Sequence, residues 1–326
     1  MENSKRVSAI IVTWNHAACL QDCLEAVMAQ TYPDLEVIVV DNASSDGSAQ
    51  LANKFAPRVR VLEQQRNLGF AGGFNCGARA ASGAWLLSIN PDLVPAPDFV
   101  SRLVQGVEGD ARAGTAAPKL LRADDPRRLD STGLFVDRRR RPYDRGQLQV
   151  DSGQYDHEID VFGACGAAAL YRRAMLDDLA PDGEYFDEDF FAYCEDADLA
   201  WRARLRGWRC RYVPEAVAYH VRGWGDTLNR QRGEKSAGPR LALRNRYLMM
   251  LKNDAWYYSL IDLPWILSAE IPRLAYMAVK RPSALLGLLD IARLAPAALR
   301  KRRKIRAARQ VPDAELRRYF LRRRDA

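Results

Sequence analysis

Val7-Ser8-Ala9-Ile10-Ile11-Val12-Thr13-Trp14-Asn15 and, one helix length later, Glu36-Val37-Ile38-Val39-Val40-Asp41-Asn42 are the stretches that decide the fold. Each is a run of β-branched and apolar residues, as in a strand buried on both faces, and each stops abruptly at polar residues. Residues 17–31 between them have helical spacing, so the unit reads strand, helix, strand. The pattern continues outward with a helix at 49–55, a strand at 59–63, a glycine-rich loop at 67–73, a helix at 74–81 and a strand at 85–89 that ends in Asn90-Pro91-Asp92. Alternation of this kind predicts an α/β fold with a mostly parallel sheet flanked by helices, and ligands in such sheets bind beyond the carboxyl ends of the strands. Thr13–Asn15, Asp41–Asn42, Arg66–Asn67 and Asn90–Asp92 occupy those ends. Helix capping accounts for any one of them alone, but four ends of the same character point to one crevice.

The chain of 326 residues carries a formal net charge of +8 and an apolar fraction of 48%, which is ordinary for a globular protein and excludes wholesale disorder. Arginine is concentrated at 138–141 and 300–324, and clustered positive charge implies an anionic partner, nucleic acid or a phospholipid surface. Zinc-finger spacing and an aromatic-rich RNA-binding strand are both missing, which disfavours nucleic acid. The six cysteines contain no Cys-x-x-Cys pair and the first residues lack signal-peptide character, so reduced thiols in a cytosolic protein are expected. The first strand-to-helix turn has no glycine, which excludes a dinucleotide fingerprint there. The glycines of 67–77 read instead as a backbone that lets a phosphate or nucleoside approach.

Chemistry is concentrated in Phe190-Phe191-Ala192-Tyr193-Cys194-Glu195-Asp196-Ala197-Asp198-Leu199. Three carboxylates within four residues repel one another unless a cation or a proton is close. Asp196 reads as a general base and Glu195 as an orienting or acceptor-side group; the alternative for Asp196 is a helix cap. Asp198 is spaced to pair with Arg202 at i, i+4.

Val12-Thr13-Trp14-Asn15, Val40-Asp41-Asn42-Ala43-Ser44-Ser45-Asp46-Gly47, residues 67–77, Asn90-Pro91-Asp92 and the segment from Phe186-Asp187 to Leu199 together resemble the inverting family-two glycosyltransferases, and within them bacterial rhamnosyltransferase-like proteins. The resemblance spans roughly residues 7–222 and implies a GT-A nucleotide-sugar-binding fold. It would place Thr13, Asn15 and Asp41 at the base and ribose, Asn67 and Gly69 along the nucleotide, and Gly163 at the donor sugar. Asn90-Pro91-Asp92 stands where that family has Asp-x-Asp, so Asp92 would bind a divalent cation, Mg2+ or Mn2+, with His220 as a second ligand. Asn90 is neutral, which removes one carboxylate from the set. The donor implied is dTDP-rhamnose or another dTDP- or UDP-sugar. The acceptor implied is a saccharide or a polyprenyl-diphosphate-linked one, in cell-surface polysaccharide synthesis. A diphosphate leaving group needs a cation but no proton, so a single carboxylate base suffices for displacement with inversion.

The remaining expectations concern the periphery. The run at 138–141 reads as a solvated charged loop, with acceptor-phosphate binding as the alternative. Arg222 and Trp224, beside hinge glycines, read as a lid or acceptor contact. From Gly238 the α/β alternation stops, which divides the chain into a catalytic domain, 1–237, and a basic, amphipathic helical region, 238–326. No segment of the latter reads as an uninterrupted membrane span. Trp256, Tyr257, Tyr258 and Trp265 beside basic residues instead suggest helices lying in the headgroup layer. The expected location is therefore cytoplasmic, peripheral to the inner face of the plasma membrane. Two other classes remain as alternatives, a nucleotide-sugar binder without turnover and a basic nucleic-acid-binding protein.

Overall fold

The structure, a computed structural model, describes residues 5–180, 182–221 and 237–321. Strands β1 (Val7–Thr13), β2 (Leu35–Asp41), β3 (Val59–Glu63) and β4 (Trp85–Ile89) are parallel, in the order β4-β1-β2-β3. On the far side of β4 lie β11 (Ala168–Arg172), β6 (Ala113–Arg122), β12 (Arg209–His220) and β10 (Asp160–Val161), in that order. β11 runs against both β4 and β6, so β6 and its parallel neighbour β12 point the same way as β4. Thr13, Asp41, Ile89, Arg122 and His220 therefore end their strands on one edge of the sheet. Short strands β5 (Leu93–Pro95) and β7 (Leu129–Ser131) pair with β12 and β6, and β8 (Leu134–Val136) forms a separate hairpin with β9 (Pro142–Asp144).

The strands' apolar runs are explained by burial on both faces. Ile10, Val12, Ile38 and Val40 join one apolar cluster, while Ala9, Ile11, Val37 and Val39 join the other. Helix α1 (Ala17–Met28) covers the second face, and α2 (Ser48–Asn53) lies next to it. Helix α3 (Gly69–Ala80) covers the first face. Here the structure corrects the expectation of a loop over 67–73. A side chain at Gly73 or Gly77 would come within 2.6 Å of Val12 or Ile10, so these glycines seat the helix on β1 and β2. Close packing outweighs the low helix propensity of glycine. Helices α4 (Phe99–Val107), α5 (Arg173–Leu179) and α6 (Glu195–Leu205) complete the layers around the sheet.

Beyond the sheet, α7 (Gly238–Asn253), α8 (Trp256–Ile261), α9 (Leu263–Lys280), α10 (Leu286–Ala307) and α11 (Asp313–Leu321) fold back onto it. Buried ion pairs tie them down. Arg140, which has no exposed surface, bonds Asp254 at 2.7 Å and Asp262 at 3.1 Å. Arg138 and Arg317 also reach Asp262, and Arg246 reaches Glu270. The expectation of a solvated loop at 138–141 is thus overturned for Arg140, whose cationic head is needed by carboxylates more than a hundred residues downstream. A second correction concerns length and composition: the helical segment Pro282–Ala307 is long and apolar enough to cross a membrane. In the fold it packs along α7, with Arg302 donating to the Leu251 carbonyl and Lys301 bonded to Glu184, Asp187 and Asp189.

Candidate active site

At the carboxyl ends of β1 and β2 the chain builds a polar crevice. Asn15 adopts φ 60°, held by its N–H to the Ser44 hydroxyl at 2.9 Å and by its side-chain oxygen, which accepts from Ser45 N–H at 2.8 Å. Asp41 accepts from Ser44 N–H at 3.0 Å through one oxygen. Its other oxygen, the Thr13 hydroxyl and the Asn42 side-chain oxygen are buried without a partner in the protein. Buried polar atoms are almost always satisfied, and here three unsatisfied ones cluster at two adjoining strand ends. Asn67 is half-buried and accepts from Gly69 N–H at 2.8 Å. Gly69 has φ +71°, and a Cβ there would sit 2.3 Å from the Phe191 carbonyl oxygen, so its bareness serves the loop that precedes α6. Gly163 likewise faces Ala200 of α6, and Asn90 is half-buried at the end of β4.

Asp92 and His220 are brought together as their order in the sequence led us to expect. Their Oδ1 and Nε2 atoms are 3.3 Å apart, and both residues are nearly buried. His220 Nδ1 bonds Asp130 at 2.8 Å, on β7. Burial alone would lower the imidazole pKa, but the hydrogen bonds and charges of Asp130 and Asp92 outweigh it and raise it to about 9. Asp130 was not singled out in the sequence, where a lone Asp between Leu129 and Ser131 carries no signal. The trio has the carboxylate–histidine pattern that orients a metal-ligating imidazole. Two donors set at right angles about a small divalent cation, each about 2.1 Å from it, stand about 3 Å apart, so the 3.3 Å ion pair of Asp92 and His220 has the spacing for such a cation once the imidazole gives up its proton. Among the described residues no third His, Cys, Asp or Glu joins them.

The approach to α6 is strained. Phe191, Tyr193 and Cys194 all have positive φ, 64°, 74° and 66°. Asp196 is not the cap of the helix: Cys194 occupies that position and no side chain caps it. Instead Asp196 accepts from Gly166 N–H at 2.8 Å and Ala197 N–H at 2.7 Å, and remains half-buried. Burial pushes its carboxyl up to about 6 despite those donors. Glu195 is buried with one oxygen unpartnered, and burial reinforced by the Asp196 charge pushes it to about 8. Asp198 is fully buried and pairs with Arg202 at 2.9 Å as its spacing implied. It also pairs with Lys252 at 2.9 Å and Asn253 at 2.8 Å, two partners from α7 that no local pattern reveals. The three crowded carboxylates are thus resolved differently: one protonated, one neutralised by cations, one left titratable and accessible. Arg222 and Trp224 lie outside the described residues.

The sequence itself matches a known family. The profile of Glycosyl transferase family 2 matches residues 8–180. The chain belongs to glycosyl transferase family 2. This glycosyltransferase is 27% identical over 239 residues to the N-acetylglucosaminyl-diphospho-decaprenol L-rhamnosyltransferase of Mycobacterium tuberculosis, an alignment covering 65% of this chain and 74% of that protein. It is 36% identical over 108 residues to the glycosyltransferase AglE of Haloferax volcanii, which covers 32% of this chain and 36% of that one. Among solved structures, the mannosyltransferase PcManGT of Pyrobaculum calidifontis, in complex with GDP-Man and Mn2+, superposes with a TM-score of 0.56 at 20% identity. The superposition covers 94% of this chain and 86% of that one. TarS of S. aureus gives a TM-score of 0.58 at 17% identity over 93% of this chain and 53% of that one. Those neighbours share the GT-A fold, and the glycosyltransferase has it too.

Proposed function

We propose that the enzyme transfers a sugar with inversion from a nucleoside-diphosphate donor to a lipid-linked or saccharide acceptor, with Asp196 as general base. The observation that carries this reading is the state of Asp196, a half-buried carboxylate fixed by two backbone N–H groups, with its pKa pushed up to about 6. A base needs a proton affinity near working pH and a fixed position. The acceptor hydroxyl oxygen forms a bond to the anomeric carbon as the bond from that carbon to the diphosphate oxygen breaks. The hydroxyl proton passes to Asp196, and the nucleoside diphosphate leaves as an anion. Glu195, protonated at neutral pH, would orient the acceptor side. Thr13, Asn15 and Asp41 would hold the base and ribose, Asn67 and Gly69 the nucleotide, and Asn90 and Gly163 the donor sugar. Asp92 and His220 would hold a Mg2+ or Mn2+ ion, which neutralises charge on the departing diphosphate when bound.

L-Rhamnose from dTDP-rhamnose is the donor sugar we favour, on the likeness to the mycobacterial rhamnosyltransferase, whose name also motivates a polyprenyl-diphosphate-linked acceptor. We place the boundary between the catalytic domain and the helical region at 237/238. The helical region would rest on a membrane: Trp256, Ile271 and Val279 are 68%, 64% and 77% exposed, with Lys280 and Arg281 adjoining. Amphipathic faces of this kind with aromatic and basic flanks suit a headgroup layer. Thermal shift against a panel of nucleotide sugars with Mg2+ or Mn2+ should show stabilisation by a dTDP- or UDP-sugar, and no shift with any of them would end the enzyme reading. Asp196→Asn should lose transfer and keep donor binding. On anionic liposomes the full chain should float, whereas the same chain carrying Trp256→Glu, Ile271→Glu and Val279→Glu should not.

A further inference from the structure

The segment that delivers Asp196 is held from a direction the transferase chemistry does not require. Phe191, at φ 64° and ψ −64°, forms the centre of a tight three-residue turn in which Ala192 N–H reaches the Phe190 carbonyl at 2.7 Å. That conformation is rare for a residue with a side chain. Tyr193 and Cys194 follow in the left-handed region, so three non-glycine residues in four are strained immediately before Glu195. Strain of this density persists only where surrounding structure over-determines it.

Two clamps do so. On one side α3 supplies Ala71 N–H to the Phe191 carbonyl at 3.1 Å, with Gly69 bare beneath the ring. On the other side stands Asn245, from the middle of α7 and with no exposed surface. Its side-chain nitrogen lies 2.8 Å from each of three carbonyl oxygens, those of Phe190, Ala192 and Tyr193. Its oxygen accepts from Arg244 Nε at 2.8 Å, and because a guanidinium can only donate, this fixes the amide with its NH2 toward the loop. Arg244 Nη2 adds bonds to the carbonyls of Asp189 and Phe190 at 2.7 and 2.9 Å. The convergence of carbonyls on one amide nitrogen exists only in the strained conformation, since a relaxed turn would splay them. Lys252 and Asn253 at the end of the same helix grip Asp198, so α7 brackets the base on both sides. α7 lies beyond the residues matched to the family, 8–180.

We propose that Asn245 is a positioning residue for transfer: its amide locks residues 190–194 in the strained conformation that presents Asp196 to the acceptor, making the C-terminal helices part of the catalytic apparatus. The inference rests on the reading of Asp196 as base. The donor crevice meets this loop through Gly69 and Ala71 of α3, whereas the side-chain hydrogen bonds of Asn245 are with the loop and Arg244, so the inference commits donor binding to change far less than transfer.

The test is Asn245→Asp, which keeps the size but sets a carboxylate against three carbonyls, with Arg244→Ala as a second variant that removes the Nη2 bonds to the Asp189 and Phe190 carbonyls and the Nε bond that orients the amide. Both are measured in the full chain beside Asp196→Asn. Asn245→Asp should lower kcat by about 10²-fold, the scale of an ångström misplacement of a catalytic group, while donor KM and nucleotide-sugar thermal shift change far less. Amide hydrogen exchange over 190–197 should accelerate in the same protein, and Arg244→Ala should show both effects to a lesser degree. If Asn245→Asp proves unstable, Arg244→Ala carries the same kinetic and exchange comparison. Wild-type kcat in these variants overturns the inference, as does a kcat loss accompanied by an equal loss of donor binding. Turnover retained by Asp196→Asn would instead remove the base reading on which the inference stands. An inactive Asp196→Asn beside fully active Asn245 and Arg244 variants would sink the inference alone.

Discussion

Replacing Glu195 by Gln should stabilise the enzyme, and do so increasingly as pH rises. In the fold Glu195 is buried beside Asp196 and its carboxyl is pushed up to about 8, whereas in the unfolded chain it ionises near 4.3. A carboxyl whose folded pKa lies above its unfolded one must take up a proton on folding. The resulting penalty is nil below the unfolded pKa, grows as pH rises, and levels off once the folded pKa is passed. At about 1.4 kcal/mol per pH unit, it is about 1 kcal/mol at pH 5 and about 4 kcal/mol at pH 7.5. Gln has the same size and no proton to gain, so it removes this term. Any cost of burying its amide is independent of pH and cancels in the comparison. For 326 residues, at an unfolding entropy of about 2.1 cal/mol/K per residue, the 3 kcal/mol difference is worth about 4 °C in Tm. Differential scanning of both proteins at pH 5 and pH 7.5 reads it directly: the advantage of Glu195→Gln should widen by that amount. An offset that is constant with pH, or one that narrows as pH rises, would refute the protonated Glu195.

Four further expectations follow from other parts of the molecule. Under saturating substrates log kcat should climb with unit slope up to about pH 6 and then level, because Asp196 acts only when ionised and burial has raised its pKa to that value; a rate that stays flat to pH 4.5 counts against it. Arg140→Met leaves Asp254 and Asp262 short of their buried cation, and should cost about 3 kcal/mol in chemical denaturation. Gly69→Ala forces a Cβ to 2.3 Å from the Phe191 carbonyl oxygen at φ +71°, and should cost at least about 2 kcal/mol, with faster hydrogen exchange in both α3 and the loop before α6. Asp130→Asn removes the carboxylate behind His220 and should weaken Mn2+ binding by about tenfold or more, measured by paramagnetic resonance on the unreacted enzyme.

How much of this was legible before folding depends on how far each residue's partner lies along the chain. The parallel strands could be read because burial on both faces writes itself into the sequence as uninterrupted runs, and Thr13, Asp41 and Asn90 because they sit where such runs stop. Asp92 and His220 were paired by their order within a resemblance, and the sheet topology makes that pairing physical: β5 is hydrogen-bonded to the end of β12, with Leu93 opposite His220. Residues 69–73 read locally as a loop because glycine counts against a helix, while the reasons for Gly69 and Gly73, the crowding of Phe191 and of Val12, lie far along the chain. Arg140 was misread for the same reason, since a run of arginines looks solvated until Asp254 and Asp262 are folded against it.

The carboxylates at 195–198 show what local reasoning can reach and where it stops. Crowding alone required that a proton or a cation relieve the repulsion, and that requirement was sound. It did not say which carboxylate received which. The answer comes from burial and from α7. Asp198 has Arg202 one turn away, but it is Lys252 and Asn253, more than fifty residues on, that add the second cation and a further hydrogen bond. Glu195 is too deeply buried to hold a charge next to Asp196, so it keeps its proton. Only Asp196 retains both access to solvent and backbone N–H donors that tolerate its charge. Of the three acids, Asp198 owes its state to a helix far along the chain, whereas Asp196 and Glu195 owe theirs to burial and to the Gly166 and Ala197 N–H groups. A transferase domain cut at 237 would keep Asp196 and its backbone donors while leaving Asp198 without the lysine and amide that answer its charge.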